Sequence, residues 1–554
     1  MTNHPRHQAT AVPFPDEYVQ RYFDANVWHR RSLADSFRAT VERFPDRPSL
    51  VCGTTTWTFR ELDELSDRRA AGLNSIGLEP GSRVLLQLNN SADTVLTWYS
   101  LLKAGVIPVC TLALHRGHEI GEIARQTQPA AHLVDAGDPK FDLVSFALEQ
   151  SAAADRPWKV IAMGTNVPDT AIDISSLDTV VSAVDARTIV DRIQRELRPQ
   201  DAAVFQLSGG TTGVPKVIPR LHAEYWYNAE RYAHTLGWTH EDRIGYAGPL
   251  AHNAGIICGI HGPHSVGAAL ILGLPETDSL FEVLVDERAT DIVLGGHAYE
   301  IVLDPRISAA RSLERVIFSG KKVAPKHFHA LDDRGIWAGQ LFGMSEGLCM
   351  VTPLDAPASV RATTVGAPIS PLDEVRILQP GTEQEVDPGT VGELCVRGPY
   401  TIRGYYNAEE QNQRSFTSDG FYRTGDLAAQ RSIEGMICYS IEGRIKDLIN
   451  RGGEKINAAE IELLLVSHPD ITEAALVPMP DARLGERACA FVVGDSGSRP
   501  SLEEMRGFLG ARGVAKYKWP ERYVWLDEMP RSNVGKIDKR VLGAQAADLK
   551  PGSH

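Results

Sequence analysis

The chain has few cysteines and no arrangement of them that performs chemistry. Seven are scattered among 554 residues: Cys52, Cys110, Cys258, Cys349, Cys395, Cys438 and Cys489. No two stand close enough for a CxxC metal knuckle, and an odd, dispersed set does not make a disulfide framework. Positive charge is not in excess. Lys and Arg number 57 against 71 Asp and Glu, a formal net charge of −14. That argues against a nucleic-acid partner, which needs a basic face. Unbroken apolar runs are also missing. Met1 to Tyr22 is polar and proline-containing, without the apolar core of a signal peptide. The most apolar long stretch, Ala254 to Leu274, is interrupted by His261, Pro263 and His264 and makes a poor membrane span. No repeat and no long linker stands out. The expected compartment is a reducing cytoplasm, with neither nucleic acid nor membrane as partner.

What is present is an ordinary globular composition, 43% hydrophobic and 23% charged. At roughly 150 residues per domain, the length gives about three to four compact units. The first third alternates helical and extended patterns. Ser32 and Asp35 flank an apolar run at helical spacing, a helix start. Leu50 to Cys52 and Thr55 to Thr58 read as a hairpin around Gly53. Thr58 and Glu61 have capping-box spacing before a helix to about Ile76. A strand at Val84 to Leu88, a helix over Ala92 to Lys103 and a strand at Val106 to Cys110 follow. This order predicts parallel α/β sheets, and the alternation continues to about residue 350.

The texture changes after Pro353. Short strands with Gly, Pro and Asp turns dominate from about 360 to 442, which suggests a small β-rich barrel or sandwich. A compact α+β pattern follows: a helix near Ala458 to Val466, strands near Ala474 to Val477 and Ala490 to Val493, a helix near Leu502 to Leu509 and a strand near Tyr523 to Leu526. The expected boundary divides residues 1–445 from 446–554, and the tail from Ala546 is expected to fray.

Five segments carry chemistry. Ser208-Gly209-Gly210-Thr211-Thr212-Gly213, closing on Lys216, follows an apolar strand. Glycines admit close backbone approach, hydroxyls donate and Lys216 adds charge, which suits a polyphosphate. The Walker A order is absent. Phe342-Gly343-Met344-Ser345-Glu346 combines an aromatic for a base, a hydroxyl for a phosphate and a carboxylate for Mg²⁺. Asp426, after Thr424-Gly425, could chelate ribose hydroxyls. The stretches Gly443 to Lys455 and Pro530 to Ile537 put Lys or Arg beside glycine. Taken singly, a surface turn or a solvated charge explains each as well.

Together, in this order and spacing, they resemble the adenylate-forming superfamily of acyl- and aryl-CoA ligases, luciferases and nonribosomal peptide synthetase adenylation domains. The similarity covers about residues 30–545. Pro399 to Tyr406 and Asn450 to Lys455 look most like the stand-alone aryl-acid adenylating enzymes of siderophore pathways, such as 2,3-dihydroxybenzoate– and salicylate–AMP ligases. The resemblance implies a large N-terminal domain of two α/β subdomains and a β-barrel, hinged at Lys446 to a small α+β lid. It implies ATP and Mg²⁺ as cofactors, formation of an aryl-adenylate, and its transfer to a phosphopantetheine thiol. No carrier-protein signature is present, so the thiol would come from a separate aryl carrier protein or from CoA.

The same resemblance assigns roles. Ser208 to Lys216 would hold the β,γ-phosphates, Ser345 the α-phosphate and Glu346 the Mg²⁺. Phe342 and Ser319-Gly320-Lys321 would flank adenine. Asp426 would bind the ribose with help from Arg444. Lys536 would bridge the substrate carboxylate and the α-phosphate. Relatives usually read Gly-Gly-Ala where this chain has Ser319-Gly320-Lys321, so Lys321 brings a charge to the adenine side. His252 aligns with a gate residue. Asn253 stands where amino-acid-activating domains carry Asp, which favours an aryl acid. The acid pocket would comprise His252, Asn253, Ala254, Cys258, Gly295, Gly320, Leu341 and Cys349. Cys258 resembles the salicylate enzymes. Ala254, Gly255, Gly295, Gly296 and Cys349 are small, so a wider acid such as a substituted anthranilate, a hydroxypicolinate or quinaldate is admitted, unless neighbours refill the space. Intact Glu346, Asp426 and Lys536 argue against a non-catalytic relative, and no further cofactor motif speaks for luciferase-like oxidation.

Overall fold

The computed structural model describes residues 11–208, 215–296, 298–451, 454–481, 483–494, 499–532 and 536–549. The chain divides into two compact units. The larger takes residues up to Glu374 with Val396–Tyr422 and Ile433–Cys438, and the smaller takes Val375–Cys395, Arg423–Ser432 and everything from Tyr439.

Local chemistry sets the elements of the larger unit. Ser32 caps the helix Leu33–Arg43, its hydroxyl accepting from the Asp35 amide. Thr58 and Glu61 form the expected reciprocal box at the head of Phe59–Ser75. Two sheets follow from the strand–helix alternation. The first has nine strands, in the order Ala367–Pro368, Leu348–Val351, Trp337–Met344, Arg315–Ser319, Asp291–Gly295, Arg243–Tyr246, Ala269–Leu272, Pro48–Cys52 and Thr55–Thr58. The six central strands are parallel and the edge pairs antiparallel. The second has seven: Ile172–Asp173, Lys159–Met163, Ala131–Asp135, Arg83–Gln87, Ile107–Val109, Ala202–Leu207 and Val217–Leu221. All its pairs are parallel except the last.

One apolar cluster joins the helices Leu33–Arg43, Phe59–Ser75, Ala92–Lys103 and His222–Thr235 to faces of both sheets. Burying charge inside it requires pairing. Lys103 is wholly buried and donates to Asp63 and Asp67 at 2.6 and 2.7 Å. Arg187 pairs the same two carboxylates from the helix Ala183–Glu196, so three helices share one ionic knot.

The stretch expected as a barrel or sandwich contributes a four-stranded sheet, Glu374–Leu378, Gly392–Arg397, Tyr422–Ile433 and Met436–Arg444 in that order. The smaller unit also holds a five-stranded sheet built on Gly485–Val493. The helices Ala458–Val466 and Leu502–Ala511 contribute to its core. The expected fraying does not begin at Ala546, and residues 550–554 lie outside the described residues. The helix Lys539–Asp548 continues, with Leu542 and Ala546 buried against Ala475, Val477 and Phe491.

Candidate active site

The larger unit presents its parallel strands' carboxyl ends in a row. Register pairs Gly295 with Ser319 and Ser319 with Leu341, so these three expected site residues lie abreast. The strand Arg243–Tyr246 ends beside them in the same sheet, and the loop carrying His252 and Asn253 follows it. Crevices outside the carboxyl ends of such strands are where α/β folds bind ligands. Asn90 pins this loop, donating to Gly248 O at 2.8 Å and accepting from Leu250 N at 3.0 Å.

Phe342, Gly343 and Met344 finish the strand Trp337–Met344, and Ser345, Glu346 and Gly347 turn the chain into Leu348–Val351. Gly347 sits at φ 98°, and a Cβ there would stand 1.6 Å from Tyr400 O. Only glycine fits, because the turn is pressed onto the Tyr400–Ile402 backbone: Ile402 N donates to Glu346 O at 2.9 Å and Thr401 Oγ1 to Gly347 O at 2.6 Å. Glu346 is thereby fixed, and Tyr405 donates to its Oε1 at 2.8 Å. Lys216 lies with its ammonium 4.8 Å above the Tyr405 ring. Desolvation lowers the Lys216 pKa, and the Glu346 charge opposes that shift. Ser208 and Lys216 are bonded to each other, Ser208 N donating to Lys216 O and Lys216 N to Ser208 Oγ, both at 3.0 Å. Gly209, Gly210, Thr211, Thr212 and Gly213 lie outside the described residues.

Asn253 is held by a buried network. Tyr225 OH donates to its Oδ1 at 2.9 Å and Arg220 Nη1 at 3.3 Å, while its Nδ2 has a long 3.5 Å bond to Met344 O. Arg220 and Tyr225 are fully buried, and Glu224 nearly so. Burial alone would lower the Arg220 pKa, but Glu224, by charge and two hydrogen bonds, holds it above its ordinary value.

Cys258 and Cys349 are buried, and burial pushes the Cys258 thiol up to about 12. Both are neutral apolar surfaces at ordinary pH. His261 accepts from Trp98 Nε1 at 2.9 Å. His264 donates through Nε2 to Ser49 O and pairs with Tyr99 OH. Burial lowers their pKa values to about 3 and about 4, so both are neutral core residues. Among the described residues no three His, Cys, Asp or Glu side chains gather as a metal group.

Two of the small residues do not widen the pocket. Ala254 immediately precedes the wide helical turn Gly255–His261. A Cβ on Gly255 would stand 2.6 Å from Leu250 O and from Pro249 O, so that glycine serves backbone approach. A Cβ on Gly296 would meet Lys321 Cγ and Cδ at 2.9 Å, so the Lys321 stem already fills that space. The Lys321 ammonium lies 5.4 Å from the Tyr299 ring, and Tyr299 OH donates to Ser319 O and Lys321 O. Among the described residues, Gly320, at φ 102°, has only Gly296 N within 4 Å of where its Cβ would stand.

The smaller unit gathers a second group. Asp426 is buried on the strand Tyr422–Ile433, and Arg444 Nε pairs its Oδ1 at 2.8 Å. Lys446 lies in the short turn Ile445–Asp447. Lys536 O accepts from the Ser532 amide at 2.7 Å. Lys536 is exposed as a residue, yet desolvation of its ammonium and then Arg444 draw its pKa down, with Asp426 pulling the other way. Lys446 is lowered by the same two causes, in the same order.

Sequence reasoning missed Arg220, Tyr225, Tyr405 and Asn90. The available signal for the first is an Arg and a Glu four residues apart, Arg220 at the end of the strand Val217–Leu221 and Glu224 in the first turn of the helix His222–Thr235. Nothing local marks Asn90 or Tyr405, whose partners lie 158 and 59 residues away.

The sequence profile of the AMP-binding enzyme family matches residues 37–406, and that of the AMP-binding enzyme C-terminal domain matches 460–536. The chain is 35% identical over 537 residues to the 2,3-dihydroxybenzoate-AMP ligase of Bacillus subtilis, covering 96% of each. It is 37% identical over 541 residues to a Streptomyces protein named salicylyl-CoA synthase / salicylate adenylyltransferase, again covering 96% of each. Among solved structures, apo MbtA of Mycobacterium smegmatis superposes with a TM-score of 0.73 at 34% identity, over 97% of this chain and 99% of that one.

Proposed function

The chain belongs to the AMP-binding enzyme family, and from that premise we propose that it activates an aromatic carboxylic acid with ATP and passes the acyl group to a thiol. In the first step a carboxylate oxygen attacks the α-phosphorus, the bond to pyrophosphate breaks, and an aryl-adenylate forms. In the second a thiolate attacks the acyl carbon and AMP leaves.

The observation that carries the reading is Asn253. A neutral amide stands at the acid position, fixed by Tyr225 and Arg220. It has no charge to pair with the ammonium of an amino acid, and it suits an ortho substituent on a ring. The relatives' names, which speak of dihydroxybenzoate and salicylate, point the same way.

In this reading Ser208, Lys216 and the glycine-rich loop hold the β,γ-phosphates, and Ser345 contacts the α-phosphate. Phe342, Gly343, Met344, Ser319, Gly320 and Lys321 flank adenine, Asp426 and Arg444 take the ribose, and Lys536 neutralises charge at the α-phosphorus. His252 gates the acid, and Ala254, Cys258, Gly295, Leu341 and Cys349 line its ring. Glu346 fits a Mg²⁺ ligand: a single oriented carboxylate is what that ion takes beside substrate phosphates. Bound there, Mg²⁺ would supply charge neutralisation on the phosphates.

The thiol is proposed to be the phosphopantetheine of a separate aryl carrier protein, in nonribosomal peptide or siderophore assembly. Free CoA is the second reading, favoured by the Streptomyces relative's name. No helix among the described residues is long and apolar enough to cross a membrane, and the proposed partners are soluble.

The test is pyrophosphate release with ATP and Mg²⁺ over salicylate, 2,3-dihydroxybenzoate, anthranilate, picolinate, quinaldate, benzoate and several amino acids. Turnover of one or a few ortho-substituted ring acids is expected. Turnover of amino acids or aliphatic acids alone would overturn the reading. Discharge of the adenylate by CoA or by a phosphopantetheinylated carrier then identifies the acceptor.

A further inference from the structure

Arg220 is a buried guanidinium with all five of its N–H groups committed. Nε and one Nη2 hydrogen go to Glu224, at 2.9 and 2.7 Å. The other Nη2 hydrogen goes to Tyr400 O at 3.2 Å, and the Nη1 pair goes to Ser345 O at 2.8 Å and Asn253 Oδ1 at 3.3 Å. A guanidinium has donors and no acceptor, so the group facing it must be the oxygen of the Asn253 amide. Tyr225 enforces the same orientation. Its hydroxyl accepts from Gln206 Nε2 at 3.1 Å and gives its own hydrogen to Asn253 Oδ1 at 2.9 Å. Two donors therefore occupy the amide oxygen. Among the described residues the amide nitrogen has one long bond, 3.5 Å to Met344 O, for its two hydrogens.

We infer that Arg220 and Tyr225 are positioning residues that turn Asn253 so that it offers only N–H to the acid, and that the enzyme therefore selects ring acids whose ortho group accepts a hydrogen bond. The inference rests on the proposed placement of the acid beside Asn253. A phenolic oxygen qualifies, since its own hydrogen goes internally to the carboxylate. A ring nitrogen next to the carboxylate, as in picolinate or quinaldate, qualifies as well. An ortho amine does not: its lone pair is conjugated into the ring, and its second N–H would meet another donor. Through Ser345 O, the same guanidinium ties this choice to the turn that carries the candidate α-phosphate ligand.

The experiment compares kcat/KM for salicylate, picolinate, anthranilate and benzoate by pyrophosphate release, in the wild type and in Tyr225→Phe and Asn253→Asp. The wild type is expected to prefer salicylate or picolinate over anthranilate by about 10-fold or more, the penalty of opposing two donors in a desolvated site. Tyr225→Phe removes one of the two donors to Oδ1 and should shrink that ratio at least ~5-fold. A merely structural defect would lower every acid alike and leave the ratio in place. Asn253→Asp keeps one oxygen toward Arg220 and replaces the N–H face by an acceptor, so the ratio should invert toward anthranilate. This variant decides the matter if Tyr225→Phe does not fold. A wild type that prefers anthranilate, or ratios unmoved in the variants, would overturn the inference while leaving aryl-acid activation standing. Failure of every ring acid would instead remove the parent reading.

Discussion

Lys536 shows how one side chain can set a pH limit. Its ammonium shares the smaller unit with Arg444 and Asp426, and desolvation followed by Arg444 lowers its pKa. In the proposed chemistry it acts as a cation, so loss of its proton ends activity. A lowered pKa places that loss at a lower pH than the ordinary lysine value of about 10.4. The rate of pyrophosphate release should therefore fall on the alkaline side before that value is reached. Lys536→Arg should move the limb upward, because a guanidinium does not titrate in this range. Lys536→Ala should reduce adenylation on the order of 10²–10³-fold. Because the residue is exposed, its denaturation midpoint should stay near the wild type's. Rates measured from pH 7 to 10.5 on the three proteins check this, and a limb that stays in place in Lys536→Arg assigns it to another group.

At the scale of elements, the turn that leads into the strand Glu374–Leu378 is fastened by a carboxyl that prefers its proton. Asp373 N donates to Ser370 O at 3.1 Å, Ser370 N to Asp373 Oδ2 at 3.3 Å, and Tyr400 OH donates to the same oxygen. Oδ1 is buried with no hydrogen-bond partner among the described residues. Burial raises the Asp373 pKa to about 7. The folded chain thus holds a proton that the unfolded chain releases near pH 4. The stabilisation from that proton is complete below about pH 4 and is lost as pH rises through about 7. Asp373→Asn should flatten the decline, gaining on the order of 2–4 kcal/mol relative to wild type at pH 8, as urea midpoints at pH 5 and pH 8 would show. This turn was not legible in the sequence, since Tyr400 comes from 27 residues away. The same division runs through the fold. Helix starts at Ser32 and Thr58 were readable because cap and partner lie three residues apart. The Phe342 to Glu346 turn was readable because its chemistry is contiguous. Arg220, joined to residues 4, 33, 125 and 180 positions away, acquires its meaning only when the strands pair. Pocket width failed to read from composition for a related reason: Leu250 and Lys321 refill what Gly255 and Gly296 leave.

At the scale of the whole molecule, the proposed reaction makes two demands on one chain. Attack at phosphorus is proposed to use Lys536, whereas thiolysis needs room for a thiol at the acyl carbon, so the C-terminal part is proposed to change placement between the steps. The proposed boundary lies between residues 445 and 446, and Lys446 occupies the short turn Ile445–Asp447 between the strands Met436–Arg444 and Leu448–Arg451. A hinge works by letting a few backbone dihedrals change, and proline removes that freedom by fixing φ near −65° and restricting the residue before it. Lys446→Pro should therefore leave adenylate formation within a few-fold of wild type while slowing thioester formation by about 10-fold or more. Single-turnover measurements separate the two: pyrophosphate release reports the first step, and AMP release on adding CoA or a phosphopantetheinylated carrier reports the second. Equal slowing of both steps would show that the turn holds the site together instead of moving it. An unchanged second step would place the pivot elsewhere in the chain.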